Sequence, residues 1–223
     1  MILKKYSNRQ VLVTNLATFL ISELEAHLRQ NDQVSFVVPG GTTPRPVFEH
    51  LHSANLDWQR INVFLTDERW VPINNPRSNA GMIGQYFLKN KAARANFFAY
   101  YNCTQSINEA VDFTTKKLTP MLPITVLLMG MGVDGHVASL FPGTAELATA
   151  LAPDAPVLLP QRPQTESEVR VSLSARTLNS ALSKHLLIFG DLKRQVLEQA
   201  IDFDQKEMPV NAVLSNTTVH WAP

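Results

Sequence analysis

One cysteine, Cys103, stands among 223 residues. A single thiol excludes an internal disulfide framework and is the usage expected in a reducing compartment. Charge is sparse and balanced: 20 Lys and Arg against 19 Asp and Glu leave a formal charge of +1. No basic field is available to hold nucleic acid or an anionic membrane surface, so the expected partner is a small molecule, with no nucleic acid and no membrane. Long apolar runs are missing too. No stretch reaches the ~18 apolar residues of a membrane span, and Met1-Ile2-Leu3-Lys4-Lys5-Tyr6 lacks the apolar core and cleavage site of a secretory signal. These absences predict a cytoplasmic protein. The length, without repeats or low complexity, predicts one domain over residues 1–223.

Signatures of several chemistries are absent as well. There is no H-x-x-x-H, no H-E-x-x-H and no Cys/His cluster, so no metal is expected. Gly-Lys-Ser/Thr of a Walker A loop does not occur. Neither Ser78 nor Ser139 lies in a G-x-S-x-G elbow, and Cys103 has no nucleophile signature around it. Gly130, Gly132 and Gly135 do match G-x-G-x-x-G, but that fingerprint needs a following helix and an acidic residue at a second strand end about 20 residues on. Pro142-Gly143 cuts the helix short, and Asp154 falls in the Pro-containing coil Ala152 to Pro156. No nicotinamide or flavin cofactor is therefore expected.

What is present is alternation. Apolar, β-branched runs predict strands at Val34–Val38, Ile61–Leu65, Phe97–Tyr100, Ile124–Met129, Val169–Leu173 and His185–Phe189. Between them, helical spacing and caps predict helices: one over Leu16–Leu28 capped by Thr14 or Asn15, one starting at Pro44, and one from Ser78 or Asn79 to Leu88. Ser106 and Glu109 form a capping box for a helix to about Leu118, Ser174 caps a short helix, and Asp191 caps Leu192–Ala200. The pattern predicts the α/β class: an open, mostly parallel sheet with helices on both faces, Rossmann-like.

In such sheets a ligand sits outside the carboxyl ends of the strands, so residues after each strand are collected as one site. Gly40-Gly41-Thr42-Thr43, before a helix, offers backbone N–H groups and hydroxyls suited to a phosphate; a plain tight turn with threonine caps is the alternative. Lys193, unfavourable in a helix's first turn, is explained by a bound anion or by simple solvation. In Asp67-Glu68-Arg69, successive residues cannot all face the same pocket. Either Asp67 and Arg69 act together or Glu68 acts alone, unless the segment is only a surface ion pair. His136, beyond the glycine turn, has the chemistry for proton transfer near neutral pH. The remaining histidines, His27, His50, His52, His185 and His220, are read as structural.

Pro39-Gly40-Gly41-Thr42-Thr43-Pro44, Thr66-Asp67-Glu68-Arg69-Trp70-Val71-Pro72, Ser78-Asn79, Gly130 to Gly143, Arg170-Val171-Ser172-Leu173-Ser174 and Gly190-Asp191-Leu192-Lys193 occur together. In order and approximate spacing they resemble the 6-phosphogluconolactonases, over about Val34 to Leu197. The resemblance implies a sugar-phosphate isomerase type of fold and hydrolysis of 6-phospho-D-glucono-1,5-lactone to 6-phosphogluconate in the oxidative pentose phosphate pathway, with no metal or organic cofactor. Glucosamine-6-phosphate deaminase is the nearest relative by fold, and a non-catalytic sugar-phosphate sensor is the further alternative. The deaminase carries Asn-Glu where this chain has Ser139-Leu140-Phe141. Pro39 and Thr42 replace serines usual in the family, Val137 a threonine and Ala80 a tyrosine.

The expected assignment follows. Gly40, Gly41, Thr42 and Thr43 hold the 6-phosphate with Lys193 and Arg170, and Asn79, Gly132 and Asp134 contact the substrate. His136 is general base and acid, Asp67 orients His136 or the water or is itself the base, and Arg69 with backbone N–H groups stabilises the oxyanion.

Overall fold

Val34–Val38 and Ile61–Leu65 are buried at every position. Strands that bury both faces must be covered on both sides, and the rest of the chain supplies the cover. The computed structural model describes residues 1–101, 103, 106–163 and 167–223. In chain order its elements are β1 (Ile2–Lys5), α1 (Arg9–Leu28), β2 (Val34–Val38), α2 (Arg45–Leu51), β3 (Ile61–Leu65), β4 (Asp67–Arg69), α3 (Asn79–Tyr86), β5 (Asn96–Phe98), α4 (Ile107–Leu118) and β6 (Val126–Met129). There follow α5 (Leu147–Leu151), β7 (Leu158–Gln161), β8 (Arg170–Leu173), α6 (Ala175–Asn179), β9 (Ser183–Phe189), α7 (Asp191–Ala200) and β10 (Thr217–Ala222).

Seven strands form a parallel sheet in the order β1-β10-β9-β6-β2-β3-β5. From β2 the chain steps to β3 and β5 on one side; from β6 it steps to β9 and β10 on the other. β2 and β6 are therefore the point where strand order reverses, and a crevice opens between their carboxyl ends. The turns Gly40–Thr43 and Gly130–His136 leave from that point.

The structure corrects the expected strand Val169–Leu173. As β8 it lies outside the parallel sheet, in a three-stranded antiparallel sheet ordered β4-β8-β7. The chain crosses over at Thr66, whose N–H still donates to Val38 of the main sheet (2.9 Å) while its carbonyl accepts from Leu173 of the small one (2.9 Å). Two caps also move. α1 begins at Arg9, with Asn8 accepting from the Val11 N–H at 2.9 Å in place of Thr14 or Asn15. α7 is capped by Gly190, φ +84°, and Asp191 is already helical without a side-chain cap bond.

By length and composition alone α1 could cross a membrane, which a search for uninterrupted apolar runs does not anticipate. Here Leu12, Leu16, Leu20 and Leu24 are fully buried in the core.

Candidate active site

β2 runs out at Val38 into Pro39 and the phosphate-type turn. Gly41 holds φ +87°, a left-handed conformation open to glycine. Gly40 is required by proximity: a Cβ there would lie 1.9 Å from Asn79 Oδ1. The turn feeds α2, so its N–H groups and the positive end of the helix face the cleft. Lys193, in the first turn of α7, lines the same cleft. Burial lowers its pKa, and among the described residues it has no hydrogen-bond or ion-pair partner. An anion in the turn would satisfy both the lysine and the helix ends.

Beyond β6 the glycine turn closes on itself. Gly132 N–H donates to the His136 carbonyl (3.0 Å) and Gly135 N–H to the Gly132 carbonyl (3.3 Å), with Gly135 at φ +77°. The tight turn sets Asp134 against His136: Nδ1 lies 2.6 Å from Asp134 Oδ1. Partial burial pushes the Asp134 carboxyl up, but the hydrogen bond and charge of His136 outweigh it and hold the pKa below its ordinary value. A carboxylate can only accept, so Nδ1 carries the proton, and in the neutral imidazole the lone pair is left on Nε2. Phe141 packs on the imidazole at a centroid distance of 4.3 Å.

β4 and β8 bring the charges. Asp67 pairs with Ser172 and Arg69 with Arg170 across the antiparallel ladder, so the two guanidinium-bearing residues are direct neighbours. Burial, then the charge of Arg170, lowers the Arg69 pKa. Asp67 is the local counter-charge, its Oδ2 lying 3.8 Å from Arg170 Nη1. Both its oxygens are held: Oδ1 accepts from Thr66 Oγ1 (2.9 Å), Oδ2 from Ser139 Oγ (2.5 Å).

These pieces enclose a cleft of about 280 Å³ lined by Gly40, Gly41, Thr42, Thr43, Asp67, Arg69, Asn79, Gly132, His136, Arg170 and Lys193. Every expected site residue except Asp134 lines it. Asp134 sits beside His136 Nδ1, one of the two places offered to Asp67, because two residues of a closed turn reach each other more readily than a residue of another strand. The surface ion pair is excluded, since Asp67 and Glu68 are both buried. Alternation holds: Asp67 and Arg69 face the cleft and Glu68 faces away.

Four contributors to the cleft, Ser139, Met129, Met131 and Leu187, went unread in the sequence. Thr66 and Ser139 fix Asp67, and Ser139 is itself held through its N–H by Ser172 Oγ (3.1 Å). The signal for Ser139 was its place within the Gly130 to Gly143 motif. Met129, Met131 and Leu187 form an apolar floor. Val137, where the family usually has threonine, is wholly buried, so that replacement sits in the core and not on the cleft. Among the described residues no three His, Cys, Asp or Glu side chains are grouped to hold a metal ion.

Residues 7–221 match the family described as glucosamine-6-phosphate isomerases/6-phosphogluconolactonase. A 6-phosphogluconolactonase of Pseudomonas aeruginosa is 38% identical over 212 residues, covering 93% of this chain and 89% of that protein. The crystal structure of a 6-phosphogluconolactonase from Shewanella baltica superposes with a TM-score of 0.95 at 30% identity, covering 100% of this chain and 98% of the other. The fold also matches a monomeric glucosamine-6-phosphate deaminase, TM-score 0.80 at 15% identity, over 100% of this chain and 97% of that one.

Proposed function

Since the chain belongs to the glucosamine-6-phosphate isomerase/6-phosphogluconolactonase family, we infer that its cleft hydrolyses 6-phospho-D-glucono-1,5-lactone to 6-phosphogluconate, a step of the oxidative pentose phosphate pathway. The observation that carries the chemistry is the His136–Asp134 pair at 2.6 Å on the rim of a cleft that also holds a phosphate-type turn.

The 6-phosphate lies in the Gly40–Thr43 turn against Lys193, which fixes the ring across the switch point with C1 near His136. His136 Nε2 takes a proton from water as its oxygen bonds to C1, and the carbonyl oxygen becomes an oxyanion. Arg170, expected at the phosphate, is the direct ladder neighbour of Arg69, so the two are the cations next to that charge; such preorganised donors commonly contribute several kcal/mol. The intermediate collapses, the bond from C1 to the ring oxygen breaks, and the imidazolium returns its proton to the leaving oxygen. Asp134 holds the tautomer throughout. Asp67, with both oxygens already accepting, serves as counter-charge to Arg170 and leaves the base role to His136. No step calls on a metal or organic cofactor. The substrate's charged phosphate keeps it inside cells, which supports a cytoplasmic enzyme acting on a small molecule alone.

The test is lactone hydrolysis with the spontaneous rate subtracted, run beside ammonia release from glucosamine 6-phosphate. Fast lactone turnover without measurable ammonia is expected, because Ser139-Leu140-Phe141 offers no carboxylate or amide for amine loss. The unphosphorylated lactone should be poor, having lost the binding energy that places C1. Ammonia release rivalling lactone hydrolysis would overturn the assignment in favour of a deaminase, and neither activity would leave a sensor.

A further inference from the structure

Glu68 has no part in the reaction as written, yet its residue is completely buried. Its carboxylate turns from the cleft to the first turn of α3. Oε1 accepts from the backbone N–H of Arg69 (2.7 Å) and of Asn79 (2.7 Å); Oε2 accepts from the Ala80 N–H (2.7 Å) and Ser78 Oγ (3.1 Å). Four donors match the full acceptor capacity of an ionised carboxylate. Burial pushes the Glu68 pKa up, and the same four donors oppose that shift.

Ordinary capping does not account for this arrangement. Ser78 already caps α3, accepting from the Gly81 N–H at 3.1 Å. What Glu68 adds is a tie between two elements, and a single oxygen grips the backbones of Arg69 and Asn79 together. The side chains of those two residues then meet in the cleft: Arg69 Nη1 donates to Asn79 Oδ1 at 2.6 Å, while Asn79 Nδ2 donates to the Asp67 carbonyl at 2.8 Å. The other contact of Arg69 Nη1, to the Arg77 carbonyl, is longer at 3.2 Å.

We propose that Glu68 is a positioning residue for lactone hydrolysis, acting through Asn79 on the Arg69 guanidinium. The proposal rests on the function inferred above. A long flexible arginine stabilises a developing charge only when held where that charge appears, and a displacement of about 1 Å can cost ~10²-fold in rate. One carboxylate that fixes both backbones removes the freedom between the two elements from which the arginine and its holder come.

Glu68→Gln keeps the shape but places an amide NH₂ where two donors now converge. Expected is a fall in kcat of ~10–10²-fold with KM within about 3-fold, because the phosphate turn is untouched. Asn79→Ala leaves the four bonds to Glu68 in place and removes the link to Arg69, together with the Nδ2 bond to the Asp67 carbonyl; it should lose kcat to the same extent. In an Arg69→Ala background, Glu68→Gln should cost less than about 2-fold more, since its route ends at Arg69. A merely structural glutamate would show full additivity there. Wild-type turnover is measured first: without it the inferred function falls and takes this proposal with it. With an active wild type, three outcomes overturn the proposal alone: normal kcat in a folded Glu68→Gln, normal kcat in Asn79→Ala whether or not Glu68→Gln folds, or an additive double variant.

Discussion

The proton chemistry of this cleft is set by two side chains separated by one glycine. Asp134 fixes the proton on His136 Nδ1, which leaves Nε2 of the neutral ring as the basic nitrogen of a side chain that lines the cleft. His136→Ala should lower kcat by ~10²–10⁴-fold while 6-phosphogluconate still binds, and Asp134→Asn, which can face Nδ1 with an N–H as well as an oxygen, should lower kcat by about 10²-fold or more with KM little changed. Steady-state kinetics with background subtraction decide this; an Asp134→Asn enzyme at wild-type kcat would return the aspartate to substrate contact. The histidine was legible in the sequence because an ionisable group follows a strand and a glycine turn. The partner was not, because which atom of Asp134 reaches which ring nitrogen depends on the left-handed Gly135. The one available hint was the spelling Asp134-Gly135-His136 itself.

At the scale of elements, the turns are built so that side chains come nearer to backbone than any residue but glycine permits. A Cβ on Gly132 would lie 2.2 Å from His136 Nδ1 and 2.4 Å from Asp134 Oδ1. Gly132→Ala should therefore break the pair with the fold intact: a kcat loss approaching that of Asp134→Asn, and a melting temperature within a few degrees of wild type. An active Gly132→Ala would mean that the turn opens freely and that the pair is not held by it. Among the elements themselves, β2 and β3 match expectation residue for residue, since continuous burial leaves a continuous apolar signal. β4 was invisible as a strand: Asp67-Glu68-Arg69 has no strand propensity, and it is extended only because β8, more than a hundred residues on, pairs with it. The burial of Glu68 has the same origin. β1 and β10 escaped notice too, although Thr217–Ala222 is partly β-branched and aromatic.

The whole molecule joins the two halves of its sheet at the switch point and braces one of them with buried histidines. His185 lies between Glu23 (2.7 Å) and His220 (3.0 Å), and His220 meets Tyr6 OH at 2.9 Å. Burial first, then the charges of His185 and Lys4, hold the His220 pKa down to about 3. An unfolded histidine titrates near ~6.5. Between those values the unfolded chain binds a proton that the folded chain refuses, so this contribution to stability is intact above ~6.5 and declines as pH falls toward 3, by on the order of 1 kcal/mol per unit. Urea unfolding at pH 7 and pH 5 should show a smaller loss for His220→Gln than for wild type, and equal slopes would remove His220 as the cause. That brace spans β9, β10 and α1, and its outermost strand introduces a matter of timing. β1 has β10 as its one partner in the sheet, with Ile2 opposite Thr218 and Lys5 opposite Trp221. At ~5–20 residues per second, β1 leaves the ribosome roughly 10–40 s before the strand that completes it. Between the emergence of β9 and that of β10, β9 presents an open edge to any other nascent chain. A chain lacking residues 217–223 should stay in that unfinished state, with rapid amide exchange over Ile2–Lys5 and a tendency to associate through β9. Exchange over Ile2–Lys5 as slow as in the full chain would show that the first strand does not wait for the last.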